Sequence, residues 1–199
     1  MRAIQPHYCI EAISGADLLL MEKAGRLCYQ SESIGKPDEF LKRIINMGHS
    51  TILEHSSMSV RFIADRGFTH ELVRHRIASF SQESTRFCNY TKHGIEIVHP
   101  ACLTPAQMQR REDHFWRTQV IYEAEISEGQ SPQIARGVLP TALKTEIMMT
   151  ANFNEWRHVF NLRALGTTGK PHPQMSELML PLLEEVKVKV PVIFDDLSW

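Results

Sequence analysis

The sequence lacks most of the marks by which a function is usually read. Its four cysteines, Cys9, Cys28, Cys88 and Cys102, are scattered with no CxxC pair, which reads as free cytosolic thiols rather than a disulfide frame. There is no GxGxxG after a strand and no GxxxxGK(S/T), so the common glycine cradles for dinucleotides and phosphates are missing. A GxSxG nucleophile elbow is absent as well. No apolar run approaches a membrane span, and the opening MRAIQPHYCIEAI has no apolar segment of signal-peptide length. A cytoplasmic protein without membrane partners is expected. Nor is there an excess of one charge: Lys+Arg is 22 against Asp+Glu 23, which argues against a nucleic-acid or membrane-surface coat. His70-Glu71-Leu72-Val73-Arg74-His75 is one residue too long for HExxH. On a helix, i and i+5 lie about 140° apart, so no shared metal is expected there.

What is present suits a globular fold. The chain has 199 residues, 43% hydrophobic and 23% charged, enough for one domain with its own core. HYCIEAI (7–13) reads as a short strand, and Ser14-Gly-Ala-Asp17 as a capping box opening a helix. Pro37 begins a second helix that Gly48 stops. HSTILEHSS reads as loop. MSVRFIADR alternates Met58, Val60, Phe62 and Ala64 with polar neighbours, a strand rhythm, and FTHELVRHRI reads as a helix with Phe68, Leu72, Val73 and Ile77 on its apolar side. GIEIVHP is a brief strand. Helices follow from Thr104-Pro105 to about Gly129 and from Ser131-Pro132. ALKTEIMMTA is a strand, NEWRHVFNLRALG a helix capped by Asn152 or Asn154 and closed by Gly166, and MSELMLPLLEEVKVK a last helix with Pro181 kinking or delaying it. Helices and strands mix without a regular βαβ alternation. The expectation is α+β: a single domain over 1–199 with a central, mostly antiparallel sheet flanked by helices.

One stretch stands apart, RHRIASFSQESTRF (74–87). Three arginines, a histidine and a run of hydroxyls and amides crowd into a nearly neutral chain. Arginine suits phosphate because its planar fork donates two parallel hydrogen bonds. If the helix continued, Arg74 and Arg76 would point roughly 200° apart. Either the helix ends there or the two guanidiniums serve different ligands.

These residues resemble the signature of the flavin-dependent thymidylate synthases throughout: Arg74-His75-Arg76, seven residues, then Ser84 and Arg86. GHSTILEHSSMSVRF resembles the family's Glu-His segment before a strand. ARGVLPTALKTEIMMTANFNEWRHVFNLR resembles its ARxVLP…N…LR region, and HPQM the end of its active-site loop. The likeness runs from about Ala24 to Glu185. Phe87 stands where the family usually has Tyr, His158 where some members have Asn, and GTTGKPHP is longer than in some.

The resemblance implies methylation of 2'-deoxyuridine 5'-monophosphate (dUMP) at C5. Methylenetetrahydrofolate would be the carbon donor and tightly bound FAD, reduced by NADPH, the hydride source. It implies a homotetramer with active sites built from several chains. By family position the substrate residues are Glu71, Arg74, Gln82, Glu83, Ser84, Thr85, Arg86, Arg136 and Arg163. The flavin residues are His55, Ser57, His75, Arg76, Asn152, Asn154 and His158, with Arg74 and Gln82 shared. No cysteine lies in the signature to add to the uracil ring. The resemblance instead makes Arg163 catalytic, a fixed cation favouring the ionised pyrimidine. Read without the family, the asparagines are helix caps, His55 is a half-buried histidine, and Arg163 is a cation near a helix C-terminus. A regulatory nucleotide binder and a metal-dependent phosphohydrolase are the competing functions.

Overall fold

The computed structural model describes residues 2–33, 35–92 and 94–198. The chain order is β1 (Arg2–Ile4), β2 (His7–Ser14), α1 (Leu19–Cys28), α2 (Pro37–Asn46), β3 (Ser57–Asp65), α3 (Arg66–Leu72), β4 (Ala78–Gln82), β5 (Glu96–Val98), α4 (Pro105–Ser127), α5 (Pro132–Ala135), β6 (Lys144–Asn152), α6 (Phe153–Arg163) and α7 (Pro173–Lys189). Short 3-10 helices occupy Ser50–His55 and Arg136–Val138. Four strands form an antiparallel sheet in the order β2-β3-β6-β4, and β1 pairs in parallel with β5. The class is α+β, as expected.

The strand rhythms fold as written. In β3, Met58, Val60, Phe62 and Ala64 are all buried, and in β6 so are Thr145, Ile147, Met149 and Ala151. Alternation with period two places each set on one face of the sheet. Helix starts also follow local chemistry. Thr104 and Gln107 form a reciprocal capping box at α4, and Asp65 Oδ1 accepts the Phe68 amide at 2.7 Å to cap α3.

The chain packs into two compact units that interleave along the sequence. The first holds residues 1–7, 62–74 and 81–148; the second holds 8–61, 75–80 and 149–199. This interleaving is why no linker or composition shift marks a boundary. The first unit packs Ile95, Ile97, Phe115, Tyr122, Ala135 and Leu143 into one core. The second is built on aromatics: Phe194 meets Phe153 and Phe160 at 5.5 and 5.7 Å between ring centroids. There the Trp156 indole N–H donates to the Met58 carbonyl at 2.9 Å, so a large apolar body is buried without an orphaned donor.

Three local expectations are corrected, and one unassigned segment gains a structure. The capping box at Ser14 does not form, because Gly15 has φ +80°, outside any helix; α1 starts after Leu18, with Asp17 Oδ1 accepting the Leu19 amide at 3.3 Å. HSTILEHSS is not loop throughout but contains a short 3-10 helix. The helix expected through Ile77 ends at Leu72, and Ile77 is 70% exposed rather than on an apolar face. The serine-rich segment begins as a strand, β4. The last two changes share a cause. His75 is pulled into the second unit as a buried residue between exposed Arg74 and Arg76, and that tertiary demand overrides the local helix pattern. Of the two alternatives left open for Arg74 and Arg76, the helix ends before them.

Gly15 sits where a Cβ would lie 2.1 Å from the buried Ser56 Oγ. We expect Gly15→Ala to destabilise the protein by roughly 1–3 kcal/mol, from overpacking and the positive φ. Thermal unfolding would show a Tm lowered by several degrees, and an unchanged Tm would refute the close approach.

Candidate functional site

In the first unit, the end of β4 leads into a loop braced from below. The Gln82 amide donates to Thr69 Oγ1 at 2.9 Å and Thr145 Oγ1 at 3.3 Å, both on fully buried threonines. Glu83 accepts from the Tyr90 hydroxyl at 2.6 Å and from Lys144 Nζ at 3.3 Å, while Lys144 also reaches Glu146 at 2.8 Å. Burial, reinforced by the Glu83 carboxylate, pushes the Tyr90 hydroxyl well above the ordinary phenol range. Burial pulls the Lys144 ammonium down, but Glu146 and Glu83 outweigh it and hold the pKa above its usual value. Both groups therefore keep their protons at neutral pH. Glu83, Tyr90 and Lys144 help line a cavity of about 310 Å³.

Above this base, the Ser84 carbonyl accepts the Phe87 and Cys88 amides at 3.1 and 2.9 Å, closing a turn. Ser84 Oγ accepts the Arg86 amide at 3.3 Å. Arg136 donates to Thr85 Oγ1 at 3.3 Å, and Arg86 Nε to Gln133 at 3.1 Å, with the Arg86 guanidinium 5.3 Å from the Phe87 ring centroid. Two guanidiniums and two hydroxyls thus converge on one turn. A guanidinium carries five N–H donors, and these contacts engage one nitrogen of each. Among the described residues, no other N–H of these two guanidiniums hydrogen-bonds to the turn itself.

In the second unit, His75 is 4% exposed and clasped by α6. Its Nδ1 lies 3.3 Å from Glu155 Oε1, its Nε2 accepts from Arg163 Nε at 3.2 Å, and its ring stands 5.6 Å from that of His158. Burial first, then the charges of Arg163 and His158, lower the His75 pKa to about 4. Burial also raises the Glu155 carboxyl, against an opposing pull from His158. The His75 ring is therefore neutral, and its contact with Glu155 is a hydrogen bond and not an ion pair. The other α6 arginine plays a different part. Arg157 chelates Asp196 with two 2.6 Å hydrogen bonds and also donates to the Ile193 carbonyl, tying down the C-terminal turn.

Comparison with known proteins gives this geometry a family. A family profile described as Thymidylate synthase complementing protein matches residues 11–192. Flavin-dependent thymidylate synthase of Geobacter sulfurreducens is 34% identical over 185 residues, covering 87% of this chain and 78% of the relative. That of Corynebacterium glutamicum is 32% identical, covering 92% and 80%. The chain belongs to the flavin-dependent thymidylate synthase family. Two solved structures share its fold. The UMP/dUMP methylase PolB of Streptomyces cacaoi, bound with 5-Br dUMP, matches with TM-score 0.85 at 19% identity, over 98% of this chain and 96% of that one. Thymidylate Synthase X of Helicobacter pylori, with FAD and dUMP, matches with TM-score 0.73 at 21% identity, over 96% and 98%.

The residues singled out by family position divide between the units. Glu71, Arg74, Gln82, Glu83, Ser84, Thr85, Arg86 and Arg136 lie in the first; His55, Ser57, His75, Arg76, Asn152, Asn154, His158 and Arg163 lie in the second. Ser84, Thr85, Arg86 and Arg136 are brought together as described. Glu71 is half-buried at the end of α3 and Arg74 is exposed in the turn beyond it. Gln82 and Glu83 direct their side chains to partners inside the first unit rather than to the turn. Asn152 caps α6, its Oδ1 accepting the Glu155 amide at 2.8 Å, and Asn154 donates to Glu54 at 3.1 Å. His55 ends its 3-10 helix exposed, Ser57 opens β3 half-buried, and Arg76 and His158 are exposed. All four cysteines are free, and the described residues contain no metal-binding group of His, Cys, Asp and Glu. Sequence reasoning missed Glu155, Gln133, Tyr90 and Lys144. Glu155 alone had a signal: an acid between Phe153 and Trp156 in a helix start that buries its apolar residues.

The depressed pKa of His75 has a sign. Between about 4 and the ordinary 6.5 the unfolded chain binds more protons, so stability present above 6.5 is lost as pH falls through that window. The effect is at most roughly 3 kcal/mol. Glu155, with its raised pKa, acts in the opposite sense, but it is common to wild type and a His75→Gln variant. We expect wild-type Tm to fall more steeply than that of His75→Gln between pH 6.5 and 4. Parallel curves would refute a buried neutral His75.

Proposed function

We propose that this protein is a thymidylate synthase that methylates dUMP to dTMP, with methylenetetrahydrofolate as carbon donor, FAD reduced by NADPH as hydride source, and tetrahydrofolate released. Family membership supports the reaction, and the turn at Ser84–Arg86 with Arg136 is the observation that carries the substrate class. A nucleoside monophosphate presents a dianionic phosphate. Two guanidiniums, two hydroxyls and the exposed Arg74 supply charge-assisted donors for it, each worth roughly 1.5–3 kcal/mol.

The donor set of the second unit fits a flavin nucleotide. Arg76, His158 and His55 are exposed and offer cationic or hydrogen-bonding groups to a pyrophosphate and a polar ring edge. The bound flavin supplies the hydride for reduction. Arg163 acts on the pyrimidine: C5 of uracil becomes nucleophilic when the ring carries negative charge, and a fixed guanidinium favours that form. No thiol is assigned to the ring, since none of the four cysteines lies in the signature and the nearest, Cys88, stands just beyond it. Ser84 binds rather than attacks. Its oxygen accepts a backbone amide, and no base is assigned to remove its proton. The homotetramer and cytoplasmic location implied by the family complete the reading.

Spectroscopy tests it directly. Purified or FAD-reconstituted protein should absorb in the blue, bleach with NADPH under anaerobic conditions, and form thymidylate when dUMP and methylenetetrahydrofolate are added; protein that neither retains flavin nor makes thymidylate overturns the assignment. Arg163→Ala should lower kcat by about 100-fold or more while dUMP still binds, and undiminished turnover would remove its role. Ser84→Ala should weaken dUMP binding by roughly three- to tenfold with chemistry retained. Covalent nucleotide trapped on Ser84 would contradict that.

A further inference from the structure

We propose that Glu155 is a positioning residue: through His75 it holds the Arg163 guanidinium in place for the reaction proposed above, on which its functional meaning, though not its geometry, rests. Two hydrogen bonds fix where the single proton of the neutral imidazole sits. Arginine Nε is only ever a donor, so the His75 Nε2 that lies 3.2 Å from Arg163 Nε must present its lone pair. The proton is then on Nδ1, which faces Glu155 Oε1 at 3.3 Å. Only an acceptor satisfies it there, and the carboxylate is one. The hydrogen bond at one ring nitrogen selects the tautomer, and the tautomer decides what the other nitrogen does.

Without an acceptor at Glu155, the buried Nδ1–H loses its partner and the Nε2–H tautomer gains population, in which the imidazole N–H meets the Arg163 N–H head on. Two donors then face each other and the guanidinium must turn away. Water is a poor substitute, because His75 is 4% and Glu155 7% exposed. The other titratable group against His75 is His158, also from α6. Glu155 and Arg163 are eight residues apart, about 12 Å of helix rise. His75 bridges that span because helical side chains lean back toward the N-terminus, as Arg163 must to reach the ring. Asn152 secures the first turn by capping the Glu155 amide.

Histidine 15N spectra of the FAD-loaded enzyme test this, with the His75 signals identified by their loss in His75→Gln. We expect wild type to hold His75 as the Nδ1–H tautomer. Glu155→Leu should populate the Nε2–H tautomer and lower kcat by about 10- to 100-fold, by analogy with the loss of carboxylates that orient metal-ligating histidines, with the KM for dUMP changed less than roughly threefold. Glu155→Gln retains an acceptor oxygen and should restore both tautomer and kcat to within about fivefold. A merely structural carboxylate would not be rescued through the tautomer. Finding Nε2–H in wild type overturns the proposal with no variant needed, as does a Glu155→Leu enzyme with full kcat. The expected tautomers in a protein that makes no thymidylate would instead refute the reaction and leave the positioning intact.

Discussion

The structure turns on a buried, uncharged histidine. His75 follows Arg74 directly, yet its ring is enclosed by α6 and hydrogen-bonded at both nitrogens. Protonation would set an N–H against the Arg163 N–H, so burial and the neighbouring cation favour the same state, a neutral ring. From this follow the early end of α3, the exposure of Arg74 and Arg76 on either side, and a hydrogen bond that holds the Arg163 guanidinium against the ring. Local helix propensity gives way because an extra turn is worth far less than satisfying two buried polar atoms.

The first unit solves a related problem with opposite charge. A turn rich in arginine must be stable before any anion arrives. Thr85 and Gln133 hold Arg136 and Arg86, and the carbonyl of Ser84 organises the turn's own amides. Glu83 lies beneath, neutralised by Lys144 and hydrogen-bonded by Tyr90. Its negative charge is thereby paired within the unit rather than with the arginines of the turn. Preorganisation of this kind lowers the cost of ordering long side chains on binding.

Much was legible in the sequence. The alternation in MSVRFIADR and ALKTEIMMTA marked two strands, Thr104-Pro105 and Pro37 marked helix starts, and the choice of cap for α6 narrowed to Asn152 or Asn154. The spacing of RHRIASFSQESTRF marked the chemistry. Less legible were features that depend on distant partners: Ser14 looks like a cap until Gly15 turns the chain, and nothing local to Gln82 and Glu83 announces their hydrogen bonds to Thr69, Thr145, Tyr90 and Lys144. Asn152 and Asn154 likewise have partners within the protein, one a helix amide and one Glu54.

By itself, the sequence determined the α+β elements, the family, and the crowding of cationic and hydroxyl groups into one stretch. Periodicity, capping and motif spacing are properties of neighbours in the chain, so they survive without coordinates. Only the tertiary structure decided which arginine is structural and which is poised beside a histidine. Arg157 and Arg163 share a helix and a residue type, but one meets Asp196 and the other His75, and those partners come from segments tens of residues away. It also decided the protonation state of His75, because desolvation and charge depend on what surrounds a ring in space.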